Sequence, residues 1–136
     1  MKNTYFLDTS YLIALEIENE QSHQQVLQHW LTLVISKPFL ITTTYIFDEV
    51  VTFFNSRNLH EEAIKIGSNL LESPEIEVIE VDRNLFYQGW YYFQKHQDKS
   101  YSLTDCLSFV VMENRNLSTA LTLDNHFVQA GFQCLP

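Results

Sequence analysis

Four acidic side chains, far apart in the sequence, are the residues of this chain that could carry chemistry. They are Asp8 in FLDTSYLIAL, Glu49 in YIFDEVVTFF, Asp105 in SLTDCLSFVV and Asp124 in LTLDNHF. Asp8 is the most unusual, because most of its neighbours are residues that leave water on folding. A carboxylate buried among them loses hydration worth several kcal/mol unless a hydrogen bond or an ion replaces it. Asp8 therefore caps a helix or binds something.

Helix capping is the ordinary explanation for each acid taken alone. Asp8 and Asp124 stand where helices would begin. Ser102 and Asp105 have the spacing of a capping box. Glu49 could reach solvent past its apolar neighbours. The hydroxyls of Ser102, Thr9 and Ser10 could position a water or an acid. Local capping explains them equally well.

Four acids that meet at one place need a further cause than capping. Two carboxylates about 4 Å apart repel by roughly 4 kcal/mol at an effective dielectric constant near 20. Helix amino ends return only about 0.3–1 kcal/mol per charge. Either some of the carboxyls are protonated at pH 7 or a divalent cation is present. Oxygen ligands without cysteine or histidine favour a hard ion, so we expect Mg²⁺ or Mn²⁺.

The other residue types that bind metals show no site pattern. Cys106 and Cys134 lie in apolar surroundings without the spacing of a zinc or redox site, and we expect buried, reduced thiols. No pair of histidines forms the HExxH motif of a zinc helix. We therefore expect the histidines at the surface, and they are His23, His29, His60, His96 and His126.

Alternating strand-like and helix-like segments must position the four acids. The hydrophobic patterns predict strands over residues 4–10, 39–44, 75–81, 118–123 and 132–135. They predict helices over residues 11–17, 22–36, 45–57, 60–72, 84–96, 102–115 and 124–130. Parallel neighbours need crossover connections, which are almost always right-handed. We therefore predict an α/β fold, a single-domain three-layer α/β/α sandwich with a mainly parallel sheet of about five strands.

The predicted sheet brings the acids to one edge. Ligands in open α/β sheets bind at the carboxyl ends of the strands, where the strand order reverses. Asp8 and Asp124 follow two strands at this edge, and Asp105 lies in the first turn of a helix whose amino end is at the same edge. Glu49 follows the second strand by one to two helical turns, and we expect it to point inward. Only helical phase favours Glu49 over the neighbouring Asp48.

Length and charge limit the classes of function. The chain has 136 residues and a net charge of −9, and we expect one domain over residues 1–136. The eight Lys and Arg residues never cluster, so a general basic surface would not hold a nucleic acid. We recognise no targeting segment and no apolar run long enough to cross a membrane. We expect a cytoplasmic protein without a membrane partner.

One aromatic-rich segment lies outside the acidic pattern. Its rings could stack on bases, at about 1–3 kcal/mol per stack, but such a run more often packs in a core or at a subunit interface. We expect packing or dimerisation, and therefore a homodimer. The residues are Phe86, Tyr87, Trp90, Tyr91, Tyr92 and Phe93.

The four acidic segments, in their order along the chain, resemble the motifs of the PIN-domain ribonucleases, including VapC-like toxins. The resemblance implies a parallel sheet sandwiched by helices and an acidic quartet at Asp8, Glu49, Asp105 and Asp124. It implies cleavage of RNA phosphodiester bonds that depends on Mg²⁺ or Mn²⁺. We expect Asp8 and Asp105 to bind the metal directly, with Glu49 and Asp124 acting through water, a second metal or a general-base contact. The resemblance also implies a toxin of a type II toxin–antitoxin pair, with RNA as substrate and an antitoxin as protein partner.

Other functions fit the sequence less well. A PIN-fold RNA-processing nuclease without an antitoxin and a catalytically silent PIN-like interaction domain stay open. Haloacid-dehalogenase-like phosphatases need D-x-D in the first motif, where this chain has Asp8, Thr9 and Ser10. Receiver domains need an acidic pair near the first strand and a lysine after a later one, where this chain has Asn125 and His126.

Overall fold

Five strands alternate with seven helices in the computed structural model, which describes residues 3–136; Met1 and Lys2 lie outside the described residues. The strands are β1 (Thr4–Leu7), β2 (Phe39–Thr43), β3 (Ile76–Ile79), β4 (Thr119–Leu121) and β5 (Gln133–Leu135). The helices are α1 (Thr9–Glu16), α2 (His23–Leu33), α3 (Thr44–Ser56), α4 (His60–Glu72), α5 (Arg83–Lys95), α6 (Leu103–Asn114) and α7 (Asn125–Gln129). A 3₁₀ turn over Val34–Ser36 continues α2, so the helix predicted over residues 22–36 tightens at its end.

The strands form one parallel sheet in the order β3-β2-β1-β4-β5. Phe6 of β1 pairs with Ile41 of β2 on one side and with Ala120 of β4 on the other. The chain thus moves from β1 towards β3 in one direction and crosses to β4 and β5 in the other. Right-handed crossovers in opposite directions cover opposite faces of the sheet with helices. The predicted α/β/α sandwich with a five-stranded parallel sheet is confirmed, and its strand order reverses between β1 and β4.

Helix α6 is the most deeply buried helix of the described chain. Every residue from Asp105 to Met112 is buried, with Leu107 and Phe109 wholly inaccessible to solvent. A helix that is apolar all round is stable only inside a protein. The segment leads directly into β4, so its burial also fixes the position of Asp105 at the carboxyl edge of the sheet.

Gly89 allows α5 to pack closely on α6. A Cβ atom at Gly89 would lie 2.4 Å from Cδ2 of Leu107 and 2.7 Å from its Cγ. Glycine weakens an isolated helix, yet α5 runs without interruption from Arg83 to Lys95. The close approach of the two helices explains why the smallest residue stands there.

The aromatic run of α5 is largely exposed. Of this helix only Leu85 and Gly89 are buried, whereas Trp90 is 43% exposed and Tyr91 is 61% exposed. Phe86 and Tyr92 are partly buried. Packing in the core, one of the two expectations for this run, therefore does not account for Tyr87, Trp90, Tyr91 and Phe93, and dimerisation stays a prediction.

The expectation that the histidines lie at the surface is wrong for His23, and His126 is only partly exposed. His23 is buried, with Nδ1 2.8 Å from the carbonyl oxygen of Ala14. His126 belongs to the acidic site described below. Both cysteines are free thiols, and the predicted burial is confirmed for Cys106, whereas Cys134 is only partly buried. Within residues 3–136, no helix combines the length and the apolar character needed to cross a bilayer.

Candidate active site

Asp8 lies at the carboxyl end of β1, with 5% of its surface exposed. It occupies the N-cap position of α1, but its side chain makes no capping hydrogen bond. Its Oδ2 instead accepts hydrogen bonds from Thr122 Oγ1 at 2.7 Å and from Ser10 Oγ at 2.8 Å. Capping therefore does not explain why this carboxylate is buried.

Backbone amides orient the two hydroxyls that hold Asp8. The amide of Leu123 donates to Ser10 Oγ at 2.9 Å, and the amide of Asp124 donates to Thr122 Oγ1 at 3.0 Å. Since each hydroxyl oxygen already accepts a hydrogen bond from an amide, its own O–H donates to Asp8. Both hydroxyls bind Oδ2, and Oδ1 takes part in neither bond. The strand ends of β1 and β4 thus fix the rotamer of Asp8.

Asp105 lies in the first turn of α6 and is 8% exposed. It completes a capping box, because Ser102 Oγ accepts from the Asp105 amide at 3.0 Å and Asp105 Oδ2 accepts from the Ser102 amide at 3.2 Å. The same Oδ2 lies 3.0 Å from Nδ1 of His126. Capping is thus present here, and it orients the carboxylate together with the imidazole.

Asp124 and His126 complete a group of three side chains that could hold a metal ion. Asp124 Oδ1 caps α7 by accepting from the His126 amide at 2.9 Å, and it lies 3.3 Å from His126 Nδ1. One ligand atom from each of Asp105, Asp124 and His126 lies within 4.8 Å of the others. The only sequence signal for His126 was its position two residues after Asp124, at the start of a short helix.

Glu49 lies at the rim of this site. It is exposed, so the expectation that it points inward is wrong, but its Oε1 accepts a 2.6 Å hydrogen bond from Thr9 Oγ1, next to Asp8. Asp48 is also exposed and accepts from Thr52 of its own helix at 3.3 Å. Among residues 3–136, neither Asp8 nor Glu49 joins the group of three. The four predicted acids therefore share one edge of the sheet without all reaching one point.

The electrostatics of the site favour a cation. Burial raises the pKa of Asp8 to about 6, the hydrogen bonds from Thr122 and Ser10 lower it in part, and the charges of Asp105 and Asp124 raise it further. Burial also raises the pKa of Asp105. A cation would relieve both the desolvation and the mutual repulsion. The three carboxylates fit a hard divalent ion such as Mg²⁺ or Mn²⁺, and the imidazole of His126 orients Asp105.

Comparisons with known proteins agree with this fold. The PIN domain family model matches residues 5–133. The 23S rRNA-specific endonuclease VapC20 of Mycobacterium tuberculosis is 29% identical over 127 residues, which cover 93% of this chain and 94% of that protein.

Solved structures have the same architecture. The crystal structure of VapC20 from Mycobacterium tuberculosis, described as a sarcin–ricin loop cleaving toxin, has a TM-score of 0.84 at 28% identity and covers 94% of this chain and 95% of its own. FitAcB from Neisseria gonorrhoeae has a TM-score of 0.66 at 16% identity, covering 97% and 96% of the two chains. VapBC2 from Rickettsia felis, bound to a promoter DNA fragment, has a TM-score of 0.67 at 12% identity, covering 97% of both. At these identities the last two support the fold alone.

Proposed function

The chain belongs to the PIN domain family, and from this membership we propose that it is a single-domain, metal-dependent endoribonuclease that hydrolyses RNA phosphodiester bonds. We further propose that it is the toxin of a type II toxin–antitoxin pair, acting in the cytoplasm as a homodimer. The relative that supports this proposal is VapC20, whose name describes a 23S rRNA-specific endonuclease.

One observation carries the enzymatic part of the proposal. Asp8 is a buried carboxylate at the reversal of strand order, it caps no helix, and two oriented hydroxyls hold one of its oxygens. Burial of a charged carboxylate lowers the free energy of unfolding. A chain that keeps one at this position needs a ligand that compensates for the lost hydration. Because the nearby Asp105 and Asp124 are also acidic, the ligand that fits here is positively charged.

We assign Asp8, Asp105 and Asp124 to hold the ion. Oδ1 of Asp8 is the oxygen that neither Ser10 nor Thr122 occupies. A divalent ion supplies positive charge that lowers the pKa of water and stabilises the negative charge that develops on the phosphate oxygens.

The remaining side chains orient these ligands or move a proton. Ser102 and His126 hold Asp105 through its Oδ2. Glu49, at the exposed rim, accepts a proton at a carboxylate oxygen from the water that attacks phosphorus. Thr9 keeps Glu49 turned towards the site through its 2.6 Å hydrogen bond.

An RNA cleavage assay tests the proposal. A synthetic sarcin–ricin loop hairpin, the RNA in the description of VapC20, and total RNA serve as substrates. We expect cleavage with Mn²⁺ or Mg²⁺, loss of cleavage in EDTA, and at least a 100-fold loss in Asp8→Asn and in Asp105→Asn, in the range of about 10²–10³ for loss of a charge-stabilising group. Asp48→Asn is the matched control, since Asp48 bonds within its own helix.

Two results would count against the proposal. If Asp8→Asn and Asp105→Asn cut as well as the parent, the assignment of the ligands is wrong. If no RNA is cut, and neither EDTA nor Mn²⁺ changes the thermal unfolding midpoint, the chain is a silent interaction domain. Isolation of a protein that binds the chain and blocks cleavage tests the antitoxin, and sedimentation equilibrium tests the homodimer.

A further inference from the structure

A pocket of about 650 Å³ opens beside the end of α5 and the loop that leads to α6. Its lining includes Trp90, Phe93, Lys99, Ser100 and Tyr101. None of these residues belongs to the acidic site. The pocket is therefore a second feature of this surface that the cleavage chemistry leaves unexplained.

Two stacked aromatic rings form one wall of the pocket. The ring centroids of Trp90 and Phe93 are 5.5 Å apart, and the ring planes differ by 12°. Trp90 is 43% exposed and Phe93 is 39% exposed, although both are large apolar side chains. They lie on α5, a helix that buries only two of its residues. A flat, exposed aromatic surface is what a nucleic-acid base stacks on.

One imidazole ring separates this pocket from the acids. Ser100 Oγ lies 3.2 Å from Nε2 of His126, and the Tyr101 ring lies 5.5 Å from the His126 ring. On its other side, His126 Nδ1 lies 3.0 Å from Oδ2 of Asp105. An RNA chain whose phosphate is at the acids would therefore place an adjoining nucleotide at this pocket.

The charge of the chain provides little general attraction for RNA. With a net charge of −9 and only eight Lys and Arg residues, the protein repels the RNA backbone over most of its surface. Lys99 lines the pocket, although its Nζ is also 3.7 Å from Asp98. Lys95, five residues after Trp90, lies over the Tyr91 ring at 4.4 Å. Stacking of an uncharged base adds affinity that does not depend on a basic surface.

We propose that this pocket is a base-binding subsite, in which an unpaired base next to the cleaved phosphodiester stacks on Trp90 and Phe93. The inference deepens the proposed function and rests on it. A second copy of the chain is the other candidate occupant of exposed aromatic rings. RNA is the occupant that the position favours, because Ser100 of the pocket contacts His126, which contacts Asp105.

Fluorescence of Trp90 measures the stacking directly. The chain has two tryptophans, and Trp30→Phe leaves Trp90 as the single reporter. In an Asp8→Asn background, which keeps RNA uncut, we expect the sarcin–ricin loop hairpin to quench this fluorescence, and a blunt duplex of its stem to leave it unchanged. Equal quenching by both RNAs, or by neither, would overturn the subsite.

Affinity measurements identify the base contact. Trp90→Ala and Phe93→Ala should each weaken hairpin binding by about 5- to 150-fold, the range that corresponds to ~1–3 kcal/mol per stack. Tyr87→Ala is the matched control, because Tyr87 is an exposed aromatic of the same helix outside the pocket. One abasic position in the loop should weaken binding to the parent and leave binding to Trp90→Ala unchanged.

The failures of the two proposals are distinguishable. If the parent cuts the hairpin and Trp90→Ala cuts it with the same KM, the subsite is wrong and the nuclease assignment stands. If Trp90 is quenched selectively by the hairpin but nothing is cut, the subsite stands and the nuclease assignment fails. If Trp90→Ala converts a dimer into monomers in sedimentation velocity runs, the face is a subunit interface and the subsite is wrong.

Discussion

Thr122 Oγ1 donates a 2.7 Å hydrogen bond to Oδ2 of Asp8, across 114 residues of sequence. The bond joins the ends of β1 and β4, the two adjacent strands between which the strand order reverses. The amide of Asp124 donates a hydrogen bond to Thr122 Oγ1, so Asp124, which we propose as a metal ligand, and the buried Asp8 are linked through one hydroxyl. The site is therefore held by the sheet itself.

Removal of the Thr122 hydroxyl should leave the Asp8 carboxylate in the site but less firmly oriented. We expect Thr122→Val, which has nearly the same shape, to lower Mn²⁺ affinity or RNA cleavage by roughly 10- to 100-fold, the usual effect of losing a partner of a metal ligand. Thr122→Ser keeps the donor and should retain most of the activity. Isothermal titration with Mn²⁺ and the cleavage assay measure both effects. Equal losses in Thr122→Val and Thr122→Ser would point to packing instead.

Asp8 should destabilise the metal-free protein at neutral pH. Its pKa of about 6 in the folded state is higher than its ordinary value of 3.8, so folding favours the protonated form. The resulting destabilisation is absent below pH 3.8, grows between 3.8 and 6, and is complete above 6. In EDTA we expect Asp8→Asn to be more stable than the parent by about 1–3 kcal/mol at pH 7.5, and by much less at pH 4.5.

Urea unfolding at the two pH values, with and without Mn²⁺, measures this effect. Mn²⁺ at about 100 times its dissociation constant should stabilise the parent by about 2.7 kcal/mol and should not stabilise Asp8→Asn. A stability difference between parent and variant that does not change with pH would show that Asp8 has the same pKa in the folded and unfolded protein.

His126 should act as a positioning residue for Asp105. We expect His126→Ala to lower kcat for RNA cleavage by about 10-fold or more with little change in KM, because Asp105 Oδ2 loses one of its two partners and keeps only the Ser102 amide. His126→Asn places an amide N–H near the former Nδ1 and should recover part of the rate. His60→Ala, on the exposed surface of α4, is the control. A raised KM with normal kcat would assign His126 to substrate binding instead.

Glu49 and Asp48 should differ sharply despite being neighbours. Glu49 bonds to Thr9 beside Asp8, whereas Asp48 bonds to Thr52. We expect Glu49→Gln to lower kcat by about 10²-fold or more, as for loss of a general base, and Asp48→Asn to stay within twofold of the parent. Single-turnover cleavage measures the chemical step. The opposite ranking would exchange the two assignments.

Gly89→Ala should destabilise the fold although alanine favours helices. The added Cβ would stand 2.4 Å from Leu107 Cδ2, and overpacking of this kind costs about 1–3 kcal/mol. The gain in helix propensity, about 1 kcal/mol, offsets only part of it. Urea unfolding of Gly89→Ala, alone and combined with Leu107→Val, tests the cause. If the smaller residue at position 107 recovers no stability, the contact is not responsible.

The architecture was predictable because its signals are local. Helical and strand periodicity located every element to within a few residues, and the helix over residues 60–72 was predicted with its observed bounds. The alternation of strands and helices then implies parallel pairing, since such connections permit little else. The capping box of Ser102 and Asp105 follows from a spacing of three residues and is present. The ligand and proton-transfer roles of the four acids stay predictions.

Contacts between distant segments were not predictable in the same way. Nothing in the sequence pairs Thr122 with Asp8, or shows that His126 stands between Asp105 and Ser100. Glu49 is exposed although Ile46 and Val50 of the same helix are buried, which its position in the sequence did not reveal. The exposure of Trp90 and Phe93 likewise depends on which residues of α5 meet α6.

By itself, the sequence determined an α/β sheet with acids at its carboxyl edge, because hydrophobic periodicity and the ends of elements are properties of neighbouring residues. The tertiary structure alone decided which oxygen of Asp8 is held, that an imidazole joins the acids, and that an aromatic pocket adjoins them. These features depend on strand order, register and side-chain direction. They become defined only when segments separated by many residues pack against each other.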